Sequence, residues 1–138
     1  MITYRNSISL EAYNELRTSV GWTMINPKRA EKGLQNSICF VAYDADTAVG
    51  LARLITDGGY VSAIYDVIVN PSHQKQGIGK ALMNKVLEYI MSDLEVDENQ
   101  MICLFAAKGK EDFYKKFGFL ERPNEAVGAG MTQWVKKV

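Results

Sequence analysis

Val67-Ile68-Val69-Asn70-Pro71-Ser72-His73-Gln74-Lys75-Gln76-Gly77-Ile78-Gly79-Lys80-Ala81-Leu82 joins the end of a strand to the start of a helix, and its reading decides the fold. The strand is Tyr60 to Val69, apolar on both faces towards its end, as expected of a central strand covered on both sides. Asn70-Pro71 stops it, because proline cannot donate to a sheet ladder. From Ile78 the apolar positions Ile78, Ala81, Leu82, Val86, Tyr89 and Ile90 recur at helical spacing and predict an amphipathic helix about four turns long. Between the two lies a turn holding Gly77 and Gly79. The first turn of a helix leaves N–H groups without internal partners, and the macrodipole adds roughly half a positive charge there. Glycines without Cβ let a phosphate approach that main chain, and Lys75 and Lys80 add local charge. The segment is therefore a candidate anion site. A tight helix start with no ligand is the commoner meaning of an isolated G-x-G.

Two other phosphate loops fit poorly. A Walker loop needs four residues between its glycines and Ser or Thr after its lysine, whereas Gly79-Lys80 is followed by Ala81. A dinucleotide fingerprint needs a third glycine where Leu82 stands, and it normally follows the first strand of a parallel sheet.

Outward from this segment the elements come in mixed order. Ile2 to Arg5 reads as a short strand. Ser9 is a candidate N-cap for a helix from Leu10 to about Thr18, with Leu10, Tyr13 and Leu16 on one face. Asn26-Pro27 opens a second helix that Gly33 is expected to close. Ser37 to Tyr43 and Ala48 to Thr56 read as a hairpin around Asp44-Ala45-Asp46-Thr47, and Asp57-Gly58-Gly59 turns the chain again. After the long helix come a strand at Met101 to Phe105, a short helix from Glu111 to Phe117 ended by Gly118, and a last strand at Met131 to Val135. Strand, helix, strand, helix, strand in the second half predicts an α/β core, in a single domain spanning 1–138.

Composition narrows the function. Sixteen basic residues offset sixteen acidic ones, so the overall field offers no general attraction for nucleic acid or anionic lipid. Cys39 and Cys103 sit in apolar runs and read as buried free thiols. With one histidine, His73, and no CxxC pair, neither a metal site nor a Ser-His-Asp triad is readily assembled. No apolar run approaches the ~20 residues of a membrane span, and no basic segment precedes one at Met1 to Asn6. The expectation is a cytoplasmic protein without metal, nucleic acid or membrane as partner.

Gln74-x-x-Gly77-x-Gly79, directly after a strand ending Val69-Asn70-Pro71, resembles the acetyl-CoA signature of the GNAT superfamily of N-acyltransferases. Phe113-Tyr114-Lys115-Lys116-Phe117-Gly118-Phe119 resembles the later helix-and-turn motif of the same superfamily, in the same order. The resemblance implies a GNAT-like fold, a central mixed sheet flanked by helices, splayed to admit acetyl-CoA as cosubstrate. It implies that the main chain of Gln74, Lys75, Gln76, Gly77, Ile78, Gly79 and Lys80 holds the CoA diphosphate. The backbone of Val67, Ile68 and Val69 would hold the pantetheine arm and the acetyl carbonyl, and Tyr114 would reach the CoA sulfur.

An amine of pKa ~10 must lose a proton before it attacks a thioester. Asp66 is the best-placed carboxylate for that proton, with a water chain as the alternative, and Ile68 or Val69 N–H is the candidate donor to the oxyanion. The expected reaction is acetyl transfer to a primary amine of a small molecule, by direct attack within a ternary complex. A peptide or protein amine as acceptor and a non-catalytic acyl-CoA-binding module are the alternatives. Resemblance places the acceptor pocket near Ser19 to Met24 or Arg122 to Met131, and family habit suggests a homodimer.

Overall fold

A computed structural model describes residues 1–138, which form two compact units, Met1–Phe105 and Ala106–Val138. The first unit holds β1 (Ile2–Arg5), α1 (Leu10–Ser19), α2 (Pro27–Gln35), β2 (Ile38–Asp44), β3 (Thr47–Thr56), β4 (Val61–Val69), a 3₁₀ turn (Pro71–His73), α3 (Ile78–Asp93) and β5 (Met101–Leu104). The second holds α4 (Glu111–Lys115).

The strands lie in sequence order, β1-β2-β3-β4-β5. The first three pairings are antiparallel and β4–β5 is parallel, so the sheet is mixed, as expected. The hairpin β2–β3 turns at Ala45-Asp46, where Ala45 takes a left-handed φ of 53°. Asp57 shapes the next turn by accepting from the N–H groups of Gly59, Tyr60 and Val61.

Alternation along the strands gives the sheet two apolar faces. Tyr13 and Leu16 of α1 and Ala30 of α2 pack with Cys39, Val41, Leu51 and Ile68 on one. On the other face α3 lies against β2 and β3, where Gly50 sits close under Ile78 and Leu82 and beside Ala42. Leu82, Met83 and Val86 are fully buried, so truncating Leu82 or Met83 to alanine costs about 2–5 kcal/mol.

Local chemistry starts the first two helices. Ser9 accepts from Ala12 N–H at 3.1 Å, and Asn26 accepts from Arg29 N–H at 3.2 Å ahead of Pro27 at the first helical position. Each such cap stabilises its helix by about 1 kcal/mol.

β4 is not one regular strand. Leu51 pairs with Ile68 and Arg53 with Tyr65, so Ala52 alone stands opposite Asp66 and Val67. Asp66 carries the extra residue of this bulge in a left-handed conformation, φ 52°, the position in bulges that glycine most often takes. The bulge reverses the alternation. Ile64 pairs with Leu54 on the α3 face, yet Ile68, four residues later, belongs to the α1–α2 cluster.

Three expectations need correction. Residues 131–135 form no strand: Met131, Trp134 and Val135 are almost fully exposed, and no neighbouring strand supplies the ladder a short β-prone run requires. Gly33 does not close α2, which runs to Gln35 and ends at Asn36, whose side-chain amide donates to Lys32 O at 2.8 Å. Cys39 is a buried free thiol, but Cys103 is exposed, because it lies with Met101 on the open side of the edge strand β5.

Candidate functional site

The glycine turn is built by short-range hydrogen bonds from the end of β4. Asn70 N–H completes the ladder to Val49 O at 2.8 Å, and its side-chain oxygen accepts from Ser72 N–H and Ser72 Oγ. Gln74 Nε2 reaches back to Val69 O at 3.0 Å. Lys75 at φ 63° and Gly77 at φ 81° then swing the main chain into α3. His73 pins the turn from outside: Nε2 lies 2.9 Å from Asp44 Oδ2 at the β2–β3 hairpin, and Nδ1 lies 2.7 Å from Ser72 Oγ. That bond to His73 holds the Asp44 carboxyl below its ordinary range. The histidine is thus a clip on the turn.

The long helix α3 begins at Gly77 with no side-chain cap. Its leading amides, at Ile78, Gly79 and Lys80, are therefore available to an outside acceptor in addition to water. Gln74, Lys75, Gln76, Gly77 and Lys80 are exposed, while Ile78 is buried and anchors the turn to the sheet. No group crowds the space where a Gly77 Cβ would stand. The seven residues expected to hold an anion thus form one exposed segment with a buried anchor.

Beside this turn, β4 presents an open edge. Pairing with β5 runs from Val61↔Met101 to Ile64↔Leu104 and stops there. Peptide groups alternate sides along a strand. Asn70 N–H points to β3, so Ile68 N–H does too, whereas the amides of Val67 and Val69 face away, towards the open edge. Of the two sequence candidates for an oxyanion donor, Val69 has the free amide and Ile68 spends its own within the sheet.

Asp66 does not stand free. Its side chain is 7% exposed, and its oxygens accept from Arg17 Nη1 at 2.8 Å, Arg53 Nε at 2.8 Å and Tyr13 Oη at 2.7 Å. Sequence reasoning missed Tyr13, Arg17 and Arg53 as its partners. The available signal was a carboxylate inside an otherwise apolar central strand, which is seldom buried unpaired. Burial, followed by the bond to Asp66, pushes the Tyr13 phenol up to about 12. Gly50 was also missed, although a lone glycine within a strand signals a close approach.

In the second unit, Tyr114 lies on α4, packed edge-on against Phe113 and Phe119 at centroid distances of 5.0 and 6.3 Å. Burial raises its phenol above the ordinary tyrosine range, so it is protonated at neutral pH and able to donate a proton. Lys115 on the same helix bridges to Glu121 at 2.6 Å. Around the expected acceptor segments, Trp22 is partly buried with the Arg17 guanidinium 5.3 Å from its ring, while Glu125 is exposed. Three or more His, Cys, Asp or Glu side chains gather nowhere in a geometry suited to a metal, and no helix is long and apolar enough to cross a membrane.

Comparison with known proteins agrees with this geometry. The model of the acetyltransferase (GNAT) domain matches residues 35–121, from the end of α2 past the Tyr114 motif. An uncharacterized N-acetyltransferase, ycf52, of Pyropia yezoensis is 31% identical over 132 residues, covering 92% of this chain and 74% of that protein. The chloroplastic GCN5-related N-acetyltransferase 1 of Arabidopsis thaliana is 31% identical over 124 residues, covering 88% and 61%. A protein from meticillin-resistant Staphylococcus aureus, described as of unknown function and a probable acetyltransferase, superposes with a TM-score of 0.85 at 33% identity. It covers 99% of this chain and 100% of its own. The mixed sheet, the glycine turn at an uncapped helix start and these relatives together make the chain an acetyltransferase of the GNAT superfamily.

Proposed function

We propose that this chain binds acetyl-CoA and transfers its acetyl group to a primary amine of a small molecule, by direct attack in a ternary complex. The observation that carries this is the uncapped start of α3 beside the open edge of β4. One would take a diphosphate on the main chain of residues 74–80, and the other offers strand amides to a pantetheine arm and an acetyl carbonyl. We take both motifs to serve one catalytic domain, a reading supported by a family match that includes residues of each unit.

In this mechanism Val69 N–H donates to the carbonyl oxygen as it becomes an oxyanion, a contribution worth about 3–4 kcal/mol where such donors have been removed. Tyr114, protonated at neutral pH, gives its proton to the departing CoA thiolate. Because three donors engage the Asp66 carboxylate, we assign removal of the amine proton to water and give Asp66 a positioning role. No step calls for a metal.

We place the reaction in a reducing aqueous compartment, the cytoplasm or, as the name of the Arabidopsis relative suggests, a plastid. Free Cys39 and Cys103 suit either. We also propose a homodimer: Met131, Trp134 and Val135 are 89%, 95% and 87% exposed, an apolar stretch suited to burial against a second copy. Sedimentation should show twice the chain mass, and a Trp134→Ser variant should dissociate.

An amine screen with acetyl-CoA, read by release of free thiol, tests the activity. Small amines should release CoA faster than hydrolysis does. Turnover on lysine peptides alone would move the acceptor to protein. Tight CoA binding without turnover on any amine would make the chain an acyl-CoA-binding module and refute the proposal.

A further inference from the structure

Asp66, Arg17, Arg53 and Tyr13 form a buried cluster that the glycine turn, the open β4 edge and Tyr114 do not use. It joins elements distant in sequence: Tyr13 and Arg17 lie on α1, Arg53 on β3, and all three converge on the bulge of β4. Arg53 Nη1 goes on to Ser37 Oγ at 2.9 Å, and Arg17 Nε to Thr23 O at 2.9 Å. The arginine side chains are 15% and 16% exposed, and no buried side-chain polar atom in the chain lacks a partner. A fully satisfied cluster of this kind tolerates little movement, since any shift strands a charge out of water.

The residue so held is the one that sets the register of the site. Asp66 takes φ 52° and supplies the extra residue opposite Ala52. Removing the bulge would shift the following strand by one position, and a one-residue slip reverses both faces and both edges. The amide of Ile68 would then face the open edge in place of Val69, and the Ile68 side chain would leave the α1–α2 core.

We infer that Tyr13, Arg17 and Arg53, acting through the Asp66 carboxylate, are positioning residues that lock the β4 bulge and so aim the Val69 amide at the acyl carbonyl. The inference rests on the acetyl-CoA site proposed above. A left-handed φ favours Asp only moderately among non-glycine residues, whereas glycine adopts it freely. Backbone tolerance and side-chain anchoring therefore predict opposite outcomes for Asp66→Gly.

The experiment is difference infrared spectroscopy of acetyl-CoA labelled with ¹³C at the carbonyl, bound to the whole protein, with affinity measured in parallel by calorimetry. In the wild type the bound carbonyl band should lie below that of free acetyl-CoA. In Asp66→Asn, Asp66→Gly and Arg17→Gln the band should return at least halfway to the free position, with the dissociation constant changed less than about threefold, because the diphosphate turn is untouched. Tyr13→Phe removes one oxygen from the cluster, should fold where the charge variants do not, and should shift the band in the same direction. A wild-type band in Asp66→Gly overturns the inference, as does band recovery accompanied by equal loss of binding, which marks a merely structural role. A wild type that binds no acetyl-CoA removes the proposed site itself, and the inference falls with it.

Discussion

Gly50 decides how closely α3 sits on the sheet, and replacing it with alanine tests whether that seat controls the anion site. A Cβ built there would lie 3.0 Å from Ile78 Cγ2, 3.2 Å from Leu82 Cδ1 and 3.3 Å from Ala42 Cβ. Carbon atoms in a packed core rest about 3.5–4.0 Å apart, so the helix start must retreat by roughly half an ångström. The neighbours have little room to yield: Leu82 and Ala42 are fully buried and Ile78 is 3% exposed. Overpacking on this scale costs about 1–3 kcal/mol, which for a domain of this size lowers Tm by about 3–12 °C. Ile78 is the buried anchor of the exposed turn, so its retreat also moves the amides of residues 78–80. We expect CoA affinity to fall about tenfold, a loss of about 1.4 kcal/mol, with far-ultraviolet circular dichroism unchanged. Gly77→Ala is the contrast, because its φ of 81° sits in open space, so its cost in folding stability is backbone strain alone, about 1–2 kcal/mol. Thermal unfolding and calorimetry with CoA measure both quantities. A Gly50→Ala protein with wild-type Tm would refute the packing argument, and one that melts early yet binds CoA normally would refute the coupling between helix seat and site.

Tyr114→Phe should cut turnover by roughly 100–10,000-fold while leaving acetyl-CoA affinity unchanged, and an unchanged rate would remove Tyr114 from the mechanism. One thiol should react with a disulfide reagent at neutral pH and the other only on unfolding, since Cys103 is exposed whereas burial raises the Cys39 thiol; equal rates in the folded protein would contradict the assigned burial. Because the folded Tyr13 pKa is raised to about 12 above an unfolded value of about 10, the stability it contributes is intact below about pH 10 and lost as pH rises towards 12. Urea unfolding at about pH 9 and about pH 11 should therefore show wild type losing more stability than Tyr13→Phe, and parallel losses would remove the Tyr13–Asp66 bond from the account.

What could be read from the sequence followed from locality. The start of α3, the caps at Ser9 and Asn26, and the hairpin at Ala45-Asp46 are each set by residues within a few positions of one another, and all formed where expected. The glycine turn was legible for the same reason. The features that failed depend on partners far along the chain. Met131 to Val135 has the composition of a strand, but strands need a ladder that composition does not supply, and these residues find none within the chain. Gly33 looked like a helix stop, yet the end of α2 is fixed by Asn36 folding back on Lys32. Cys103 looked buried because its neighbours are apolar, and only the position of β5 at the sheet edge exposes it.

Asp66 shows this division at the site itself. The sequence offers a carboxylate next to the residues expected to hold an acyl group, and proximity alone makes it a candidate base. Its partners are 13, 49 and 53 positions away in sequence, beyond the reach of any local pattern. Nor can hydrophobic alternation detect the bulge, because Ile64 and Ile68 are both apolar and both buried, on opposite faces. Val67, Ile68 and Val69 are indistinguishable as β-branched residues, so which of them turn their amides to the open edge depends on whether the strand is regular. The conformation of one aspartate thus settles the parity of the strand, and the parity settles which peptide N–H groups are left to do chemistry.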